Sequence, residues 1–319
     1  MNTKIIAFYL PQYHPFKENN EWWGAGFTEW TNVTTAQPLF KGHYQPKIPK
    51  DLGFYDLRLP ESREEQIKLA QEAGVYGFCY WHYWFGKNKE LMERPFNEVV
   101  SSGVPDFPFC IGWANESWLN KQWNADGTLK GGKLLIEQKY EGLEDYKAHF
   151  NKLLPAFKDK RYILIDNCPL VFIHRAILLP TEIITIWNQM AQEHGFSGIY
   201  FVGRLTYAEY MENKFNLLLN KGFNAITIGR LGNSILKESK IKRLTRHLIG
   251  YLKYNGCTRI ASYDKEIQYY SEDIDKREDV FPAIYPNWDH SPRSKKTGLI
   301  INNSTPQKFY THVKKFYPW

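Results

Sequence analysis

The chain has 319 residues, of which 43% are hydrophobic and 24% are charged, and this composition excludes a disordered or fibrous protein. Its formal charge of +7 favours an acidic partner, but no nucleic-acid-binding motif is recognisable, so we predict no nucleic-acid partner. The four cysteines lack metal-ligand spacing, no apolar run approaches the ~20 residues of a membrane span, and the amino terminus lacks a signal peptide, which together predict a cytoplasmic protein.

The sequence predicts strands that alternate with helices, which is typical of parallel strands joined by helical crossovers. The predicted strands lie at residues 4–10, 75–80, 107–112, 170–174, 198–203, 225–229 and 280–285. The predicted helices lie at residues 61–73, 90–101, 143–157, 182–194, 207–219 and 305 onward. This order predicts an α/β fold of the TIM-barrel, (βα)8 type, incomplete with seven strands and the eighth missing. We expect a single domain over residues 1–319, with a basic helical segment inserted at about 230–279.

Residues with capping preferences mark the ends of two of these helices. Ser62 and Glu65 have the spacing of a capping box, and Gly74 is placed to end the same helix. Thr305 is predicted to cap the last helix, with Phe316 on its inner face. The 50 or so residues between the first strand and the first helix form a long loop, and such loops are usually functional.

Aromatic and polar residues cluster where several predicted strands end. The sequence WANESW at residues 113–118 follows the third strand, and YLPQYH at 9–14, WHYWF at 81–85 and NWDH at 287–290 occupy similar positions. A buried carboxylate without a partner is costly, so core packing does not favour Asn-Glu-Ser between two indoles. A sugar site does favour it, because aromatic faces cover the apolar side of a pyranose while amides and carboxylates bind its hydroxyls. The pattern therefore indicates a carbohydrate-active protein.

Longer motifs surround these positions: AFYLPQYH at 7–14, GFTEWTNV at 26–33, GFCYWHYWF at 77–85, WANESW at 113–118, and PNWD at 286–289 continuing to SPR at 291–293. They resemble the WbsX-type proteins of bacterial surface-polysaccharide clusters, which carry a glycoside hydrolase family 99-like, endo-mannosidase-related domain. The resemblance implies a (βα)8 barrel with a sugar cleft at the carboxyl ends of its strands. It also implies a glycosyltransferase of capsule or lipopolysaccharide O-antigen assembly, whose structural relatives hydrolyse internal mannosides. The catalytic acids of that wider family lie in a Glu-Trp-x-Glu motif on the last strand, which is absent after Phe281, so we expect a chain truncated before that strand.

Glycoside chemistry usually needs two carboxylates across the anomeric carbon, and the candidates for catalysis here are Glu116 and Asp289. Three roles stay open for Glu116: a ligand of sugar hydroxyls, a catalytic acid or base, or an ion-pair partner of Arg204 or Arg293. Asp289 either binds sugar or braces its loop through Arg293. We expect further substrate-binding residues, converging with these acids on one concavity, at Tyr9, Gln12, Tyr13, His14, Glu29, Trp30, Trp81, His82, Tyr83, Trp84, Trp113, Asn115, Trp118, Trp288 and Arg293. The alternative for the aromatic members is core packing.

No cofactor is predicted, because the chain lacks a GxGxxG fingerprint, and no metal is predicted, because the one Asp-x-Asp spacing lies in a charged, helix-like segment. Residues 236–254 combine leucines and isoleucines with lysines and arginines. This segment either lies peripherally on the anionic inner membrane or packs its apolar face on the barrel. We predict a glycan or lipid-linked oligosaccharide as partner. Two functions remain open: an enzyme of surface-polysaccharide biosynthesis, acting as glycosyltransferase or glycoside hydrolase, and a catalytically impaired glycan-binding remnant.

Overall fold

The computed structural model describes residues 3–123 and 129–314. Its strands are β1 (Ile6–Tyr9), β2 (Gly77–Trp84), β3 (Glu90–Leu91), β4 (Phe109–Trp113), β5 (Trp118–Trp123), β6 (Leu129–Ile136), β7 (Leu164–Ile165), β8 (Cys168–Ile173), β9 (Tyr200–Thr206), β10 (Ala225–Gly229), β11 (Ile260–Ser262) and β12 (Ile300–Asn302). Its α-helices are α1 (Lys17–Trp23), α2 (Glu29–Thr35), α3 (Pro60–Glu72), α4 (Arg94–Ser102), α5 (Leu143–Phe157), α6 (Thr181–Glu193), α7 (Tyr207–Met211), α8 (Lys214–Lys221), α9 (Asn233–Leu236), α10 (Lys240–Lys253), α11 (Tyr263–Glu266), α12 (Ser291–Ser294) and α13 (Pro306–Val313).

The described residues form two compact units. The first comprises those within Met1–Thr28, Lys50–Trp118 and Leu134–Thr227, and the second those within Glu29–Pro49, Leu119–Lys133 and Ile228–Trp319. Each unit has a hydrophobic core of its own: Phe150 and Trp187 are fully buried in the first, and Tyr263 and Tyr270 belong to a buried cluster in the second.

The main sheet has the strand order β1-β2-β4-β8-β9-β10. The first four pairings along this path are parallel, and the six strands of the path lie side by side in their chain order, as in the first six strands of a (βα)8 barrel. The sequence-based placement of these six strands is confirmed. Helices α3 to α8 lie between them along the chain, and α5 agrees with its predicted bounds at both ends.

The predicted seventh strand at 280–285 is wrong. The segment contains Pro282, which cannot donate to a strand ladder, and it makes only an isolated bridge contact at Val280. Two strands that the sequence analysis missed, β11 and β12, instead pair in parallel as a separate two-stranded sheet of the second unit, with Ile260 opposite Ile300. The chain therefore contains a curled parallel sheet with flanking helices, which resembles part of a barrel. The predicted count of seven barrel strands is not confirmed.

The predicted helix signals agree with the structure only in part. Helix α3 begins at Pro60, one residue earlier than expected, and its N-cap is Leu59, so Ser62 lies inside the first turn and forms no cap. The predicted capping box is wrong, while Gly74 follows the helix end with φ of 74°. The Thr305 hydroxyl caps α13 by accepting the backbone N–H of Lys308 at 3.2 Å, as predicted. Phe316 lies outside the described residues. The predicted helix at 207–219 is two helices, because Asn213 between them is left-handed.

None of the helices in 3–123 and 129–314 combines the length and the apolar character needed to cross a bilayer. The four cysteine thiols are free, and Cys79 and Cys110 are buried at paired positions of β2 and β4. They pack as small core residues, as predicted.

Candidate functional site

A cleft of about 330 Å³ opens in the first unit where β4 and β8 end. Its lining residues are Asn115, Glu116, Ser117, Gln138, Tyr140, Arg175 and Leu178. Asn115 to Ser117 follow β4 directly, and Arg175 follows β8 by two residues. The carboxyl ends of neighbouring parallel strands meet at one edge of a sheet, which is where barrel folds hold their active sites. The WANESW motif therefore contributes to a cleft, as the sequence predicts.

Asn115 braces this edge of the sheet. It is fully buried, its Nδ2 donates to the Tyr140 hydroxyl at 2.8 Å and to the Arg175 carbonyl at 3.2 Å, and its Oδ1 accepts the Arg175 backbone N–H at 2.7 Å. Protein groups thus occupy both ends of the amide. The predicted direct contact of Asn115 with a sugar is not what this geometry favours; Asn115 positions Tyr140 and Arg175 instead.

Tyr140 presents a protonated hydroxyl to the cleft. Burial raises the pKa of Tyr140 to about 12, against a smaller lowering by the hydrogen bond from Asn115. Because the hydroxyl oxygen already accepts the Asn115 amide, its own proton points elsewhere. Tyr140 is therefore a hydrogen-bond donor for a ligand at neutral pH.

Glu116 is the carboxylate among the residues that line the cleft. Its side chain is 43% exposed, and its Oε1 lies 3.7 Å from the His174 Nε2. Its backbone N–H donates to the Ala114 carbonyl at 2.8 Å, which fixes the turn after β4. The basic group beside Glu116 is therefore an imidazole on the neighbouring strand end, rather than the predicted Arg204 or Arg293.

An aromatic platform lies beside this acid and base. The rings of Phe8 and Trp81 stack at 4.7 Å with an angle of 9° between their planes, and Phe8 is 52% exposed. Trp81 also contacts the His174 ring edge-on at 5.4 Å. Gly112 lies under the platform, where a Cβ would come within 3.5 Å of the Trp81 ring. His174 thus connects the Phe8–Trp81 platform to Glu116.

Four predicted ligands lie on the helix-covered face of the sheet, opposite to the face of Phe8 and Trp81, and not in the cleft. The Tyr9 hydroxyl donates to Gln66 of α3 at 2.6 Å, and the Trp84 indole N–H donates to Asp145 of α5 at 3.2 Å. The remaining pair contacts the same layer of helices: His82 Nε2 lies 2.7 Å from His149 Nε2, and Trp113 stacks on Trp187 at 6.2 Å.

For His82 and Trp84, the cause is the length of β2. The predicted strand ends at Tyr80, but β2 continues to Trp84. Successive side chains of a strand point to opposite faces, so Trp81 faces one side while His82 and Trp84 face the other. Burial lowers the pKa of His82 to about 3, so this histidine is neutral and serves as a packing group.

Other predicted ligands of the first unit lie in aromatic clusters. Tyr83 and Trp118 have ring centroids 5.2 Å apart and belong to the cluster around Phe85 and Leu91. Tyr13 contacts Tyr55 at 5.4 Å. His14 is buried, and burial lowers its pKa, while Gln12 is half-buried. Their predicted contact with substrate stays a prediction.

In the second unit, Glu29 and Arg293 form a two-pronged ion pair. The Arg293 Nη2 lies 2.7 Å from Glu29 Oε1, and its Nε donates to Oε2 at 3.0 Å. Asn32 adds a longer hydrogen bond to the same oxygen, at 3.4 Å. The pair of Glu29 and Arg293 therefore holds the start of α2 against α12.

Asp289 is held by residues of the same unit that the sequence analysis did not single out. Its Oδ2 accepts from His43 Nε2 at 2.9 Å and from Gln45 Nε2 at 2.5 Å, and its Oδ1 accepts from the Ser291 backbone N–H at 2.9 Å. Because His43 Nδ1 accepts the Leu39 N–H at 3.1 Å, a neutral His43 carries its proton on Nε2. Burial would raise the pKa of Asp289, but the bonds from Ser291, His43 and Gln45 outweigh it and lower that pKa.

Arg293, the predicted brace partner of Asp289, forms its ion pair with Glu29. Trp288 is exposed and its ring lies parallel to that of His290 at 6.2 Å. Trp30 is half-buried on α2. The convergence of Trp288 and Asp289 with the residues of the first unit stays a prediction.

Sequence reasoning missed His174, Arg175 and Tyr140. A signal existed for the first two, since a basic pair directly follows the apolar run LVFI at 170–173. Tyr140 lies in an irregular segment before α5, and no local pattern marks it. Phe8 lies inside the first predicted strand and was not singled out, although it is in register with Cys79 on the face that carries Trp81.

Comparison with known proteins places these features in a family. The family described as "Glycosyltransferase WbsX" matches residues 5–318. "Uncharacterized protein WxcX" of Xanthomonas campestris pv. campestris is 33% identical over 313 residues, covering 96% of this chain and 41% of that protein, and its counterpart in strain B100 is 34% identical over 314 residues with the same coverage. The chain thus spans about two-fifths of the length of these curated relatives.

Two solved structures superimpose on most of this chain. A "Glycoside hydrolase-like protein" superimposes with a TM-score of 0.53 at 13% identity, covering 97% of this chain and 78% of that one. The GH99 endo-alpha-mannosidase from Bacteroides thetaiotaomicron gives a TM-score of 0.49 at 12% identity, covering 98% of this chain and 81% of that one. The first of these shows a shared fold.

Proposed function

The chain belongs to the WbsX glycosyltransferase family, and from this we propose that it acts on a glycan in bacterial surface-polysaccharide biosynthesis, as a glycosyltransferase or a glycoside hydrolase. The site we propose is the cleft that follows β4 and β8. Capsule and O-antigen are the polysaccharides that the resemblance implies. The substrate we propose is a glycan or lipid-linked oligosaccharide, met on the cytoplasmic side of the inner membrane.

One observation carries the choice of site: His174 contacts both Glu116 and the Phe8–Trp81 platform. An aromatic face beside a carboxylate and a hydroxyl donor matches the two sides of a sugar ring, one apolar and one rich in hydroxyls. A second cleft, of about 270 Å³, lies at residues such as Tyr76 and Pro108 that precede β2 and β4. Barrel enzymes do not place their chemistry at that end of the strands.

The chemistry that we propose uses three cleft residues. An acceptor sugar or a water molecule supplies the attacking hydroxyl. Glu116 accepts the proton of that hydroxyl while the hydroxyl oxygen bonds to the anomeric carbon. The bond from that carbon to the leaving oxygen breaks, and the Tyr140 hydroxyl donates a hydrogen bond to the leaving oxygen. The Arg175 guanidinium supplies positive charge for an anionic leaving group. In this scheme Asn115 is a positioning residue.

A second function, glycan binding without turnover, is favoured by a specific observation. Among the residues given above as lining the cleft, Glu116 is the single carboxylate, whereas glycoside cleavage generally uses two. Both oxygens of Asp289, the other predicted acid, accept hydrogen bonds from protein groups. Binding by the platform and Tyr140 needs no second acid.

Incubation with a panel of nucleotide sugars and oligomannosides separates the two functions. Mass spectrometry scores transfer and hydrolysis, and a ligand-retention assay on the same panel scores binding. Enzyme function predicts products that Glu116→Gln lowers by about 100-fold or more, as expected for loss of one acid–base group. Retention without product, unaffected by Glu116→Gln, identifies the binding function. Neither product nor retention with any member would contradict both.

A further inference from the structure

Helix α10 docks on the second unit through its polar face. Gly250 is its one buried residue, and a Cβ there would lie 2.8 Å from the Cys257 carbonyl oxygen, so the backbones meet closely. Arg246, on the same side of the helix, donates to Glu238 at 2.7 Å and to the Thr258 carbonyl. The Ser239 hydroxyl caps the helix start by accepting the Lys242 N–H at 3.3 Å.

The apolar stripe of α10 therefore points away from the core. Ile241, Leu244, Leu248, Tyr251 and Leu252 are between 58% and 78% exposed. At about 100° per residue these side chains share one face, roughly 150° around the helix from Gly250. This arrangement overturns the expectation of an apolar face packed on the barrel. An ordinary surface helix of a globular protein buries such a stripe, so the exposed stripe needs an occupant.

The charges of the helix identify that occupant. The sequence KIKRLTRHLIGYLK of α10 contains no acidic residue. Lys240, Lys242, Arg243 and Lys253 are exposed, and within the described residues none of them forms an ion pair. A protein partner with an apolar groove would need acidic rims to match, whereas an anionic bilayer provides apolar interior and negative headgroups in one surface. Long lysine and arginine side chains can reach those headgroups while the leucines enter the acyl boundary.

We propose that α10 binds the chain to an anionic membrane surface, with its leucine and isoleucine side chains inserted and its lysines and arginine on the headgroups. Binding of this kind places the protein at the surface where lipid-linked glycans lie, but it does not depend on the glycan site. The cleft residues can fail every test above and this surface can still bind membranes.

Vesicle flotation tests the proposal with the whole chain. Vesicles of phosphatidylcholine alone are compared with an equimolar mixture of phosphatidylcholine and phosphatidylglycerol. The chain should float with the mixed vesicles and be released by molar salt, which screens charge within about 3 Å. The variant Leu244→Ser/Leu252→Ser should have an affinity for the mixed vesicles at least about tenfold lower than that of the wild type, because two large apolar side chains leave the acyl region.

A charge variant and a matched control complete the design. Lys240→Gln/Lys242→Gln/Arg243→Gln should weaken binding to mixed vesicles by about 100-fold, at about fivefold for each charge. The control Leu69→Ser/Leu217→Ser removes two exposed leucines from other helices and should bind like the wild type. If circular dichroism shows that Leu244→Ser/Leu252→Ser is misfolded, the variant Ile241→Ser/Leu248→Ser on the same stripe is used in its place.

Three results would overturn the proposal. The first is absence of flotation with mixed vesicles, and the second is wild-type binding by both leucine variants of the stripe. The third is a wild-type dimer in analytical ultracentrifugation that Leu244→Ser/Leu252→Ser converts to monomer, because a second copy would then be the occupant of the stripe.

Discussion

Replacing Asn115 by alanine should destabilise the chain more than it affects ligand contacts. The substitution removes three hydrogen bonds, to Tyr140 and to both backbone groups of Arg175, each worth about 1 kcal/mol. It also leaves the N–H of the half-buried Arg175 without its acceptor, for a further cost of about 1 kcal/mol or more. We therefore expect the free energy of unfolding to fall by about 4 kcal/mol.

Urea denaturation followed by tryptophan fluorescence measures this loss. Asn151→Ala, on the exposed side of α5, is the matched control and should change stability by less than about 0.5 kcal/mol. Asn115→Asp should also destabilise, since a carboxylate cannot donate to the Arg175 carbonyl and would be buried. If Asn115→Ala unfolds like Asn151→Ala and only loses glycan affinity, Asn115 is a ligand and the brace interpretation is refuted.

Trp81 and Trp113 lie on opposite faces of the sheet and should differ in their roles. Trp81→Ala should weaken glycan retention about tenfold with a small loss of stability, whereas Trp113→Ala should cost about 3–5 kcal/mol of unfolding free energy. The reverse pattern would exchange their roles. Tyr140→Phe should preserve the melting temperature within a few degrees but lower glycan affinity or turnover about tenfold, because it removes one donor; unchanged kinetics in the panel assay would remove Tyr140 from the site. Asp289→Asn should lower stability at about pH 7 by about 2 kcal/mol. Because the pKa of Asp289 is lowered in the fold, its stabilisation is complete above the unfolded pKa of about 3.9 and is lost as pH falls through the lower folded pKa. Urea titrations across that range should therefore show the difference between variant and wild type shrinking in acid, and a difference independent of pH would contradict the assignment.

The periodic parts of the fold were predictable from the sequence. Helix α5 and strand β10 have the bounds that their apolar patterns predict, because both bury one continuous set of side chains. The segment at 280–285 is apolar but forms no strand, and its Tyr285 packs against the buried cluster of the second unit instead. Pro282 was the signal against a strand. Short strands such as β12 give too few residues for a pattern and form only because β11 supplies a partner.

The position of the cleft along the chain was also predictable, but the faces on which the neighbouring side chains lie were not. Strand ends bring residues to one edge, so WANESW and the cleft coincide. Which face a side chain takes depends on where the strand ends, and placing the end of β2 at Tyr80 assigned His82 to the ligand face. A local pattern does not show that the Asn115 amide forms hydrogen bonds with the backbone of Arg175, 60 residues further along the chain.

Filling the cleft tests the central claim most directly. Leu178 lines the cleft beside Glu116 and is exposed, so Leu178→Trp should occupy its volume without loss of fold. Leu164 is an exposed leucine of the second cleft, at the other end of the strands, and Leu164→Trp is the matched control. With a ligand or substrate that the wild-type chain retains or converts in the panel, titration should give affinity lowered about 100-fold by Leu178→Trp and unchanged by Leu164→Trp. Equal affinity in Leu178→Trp and the wild type, or a loss confined to Leu164→Trp, would contradict the assignment of glycan binding to the cleft after β4 and β8.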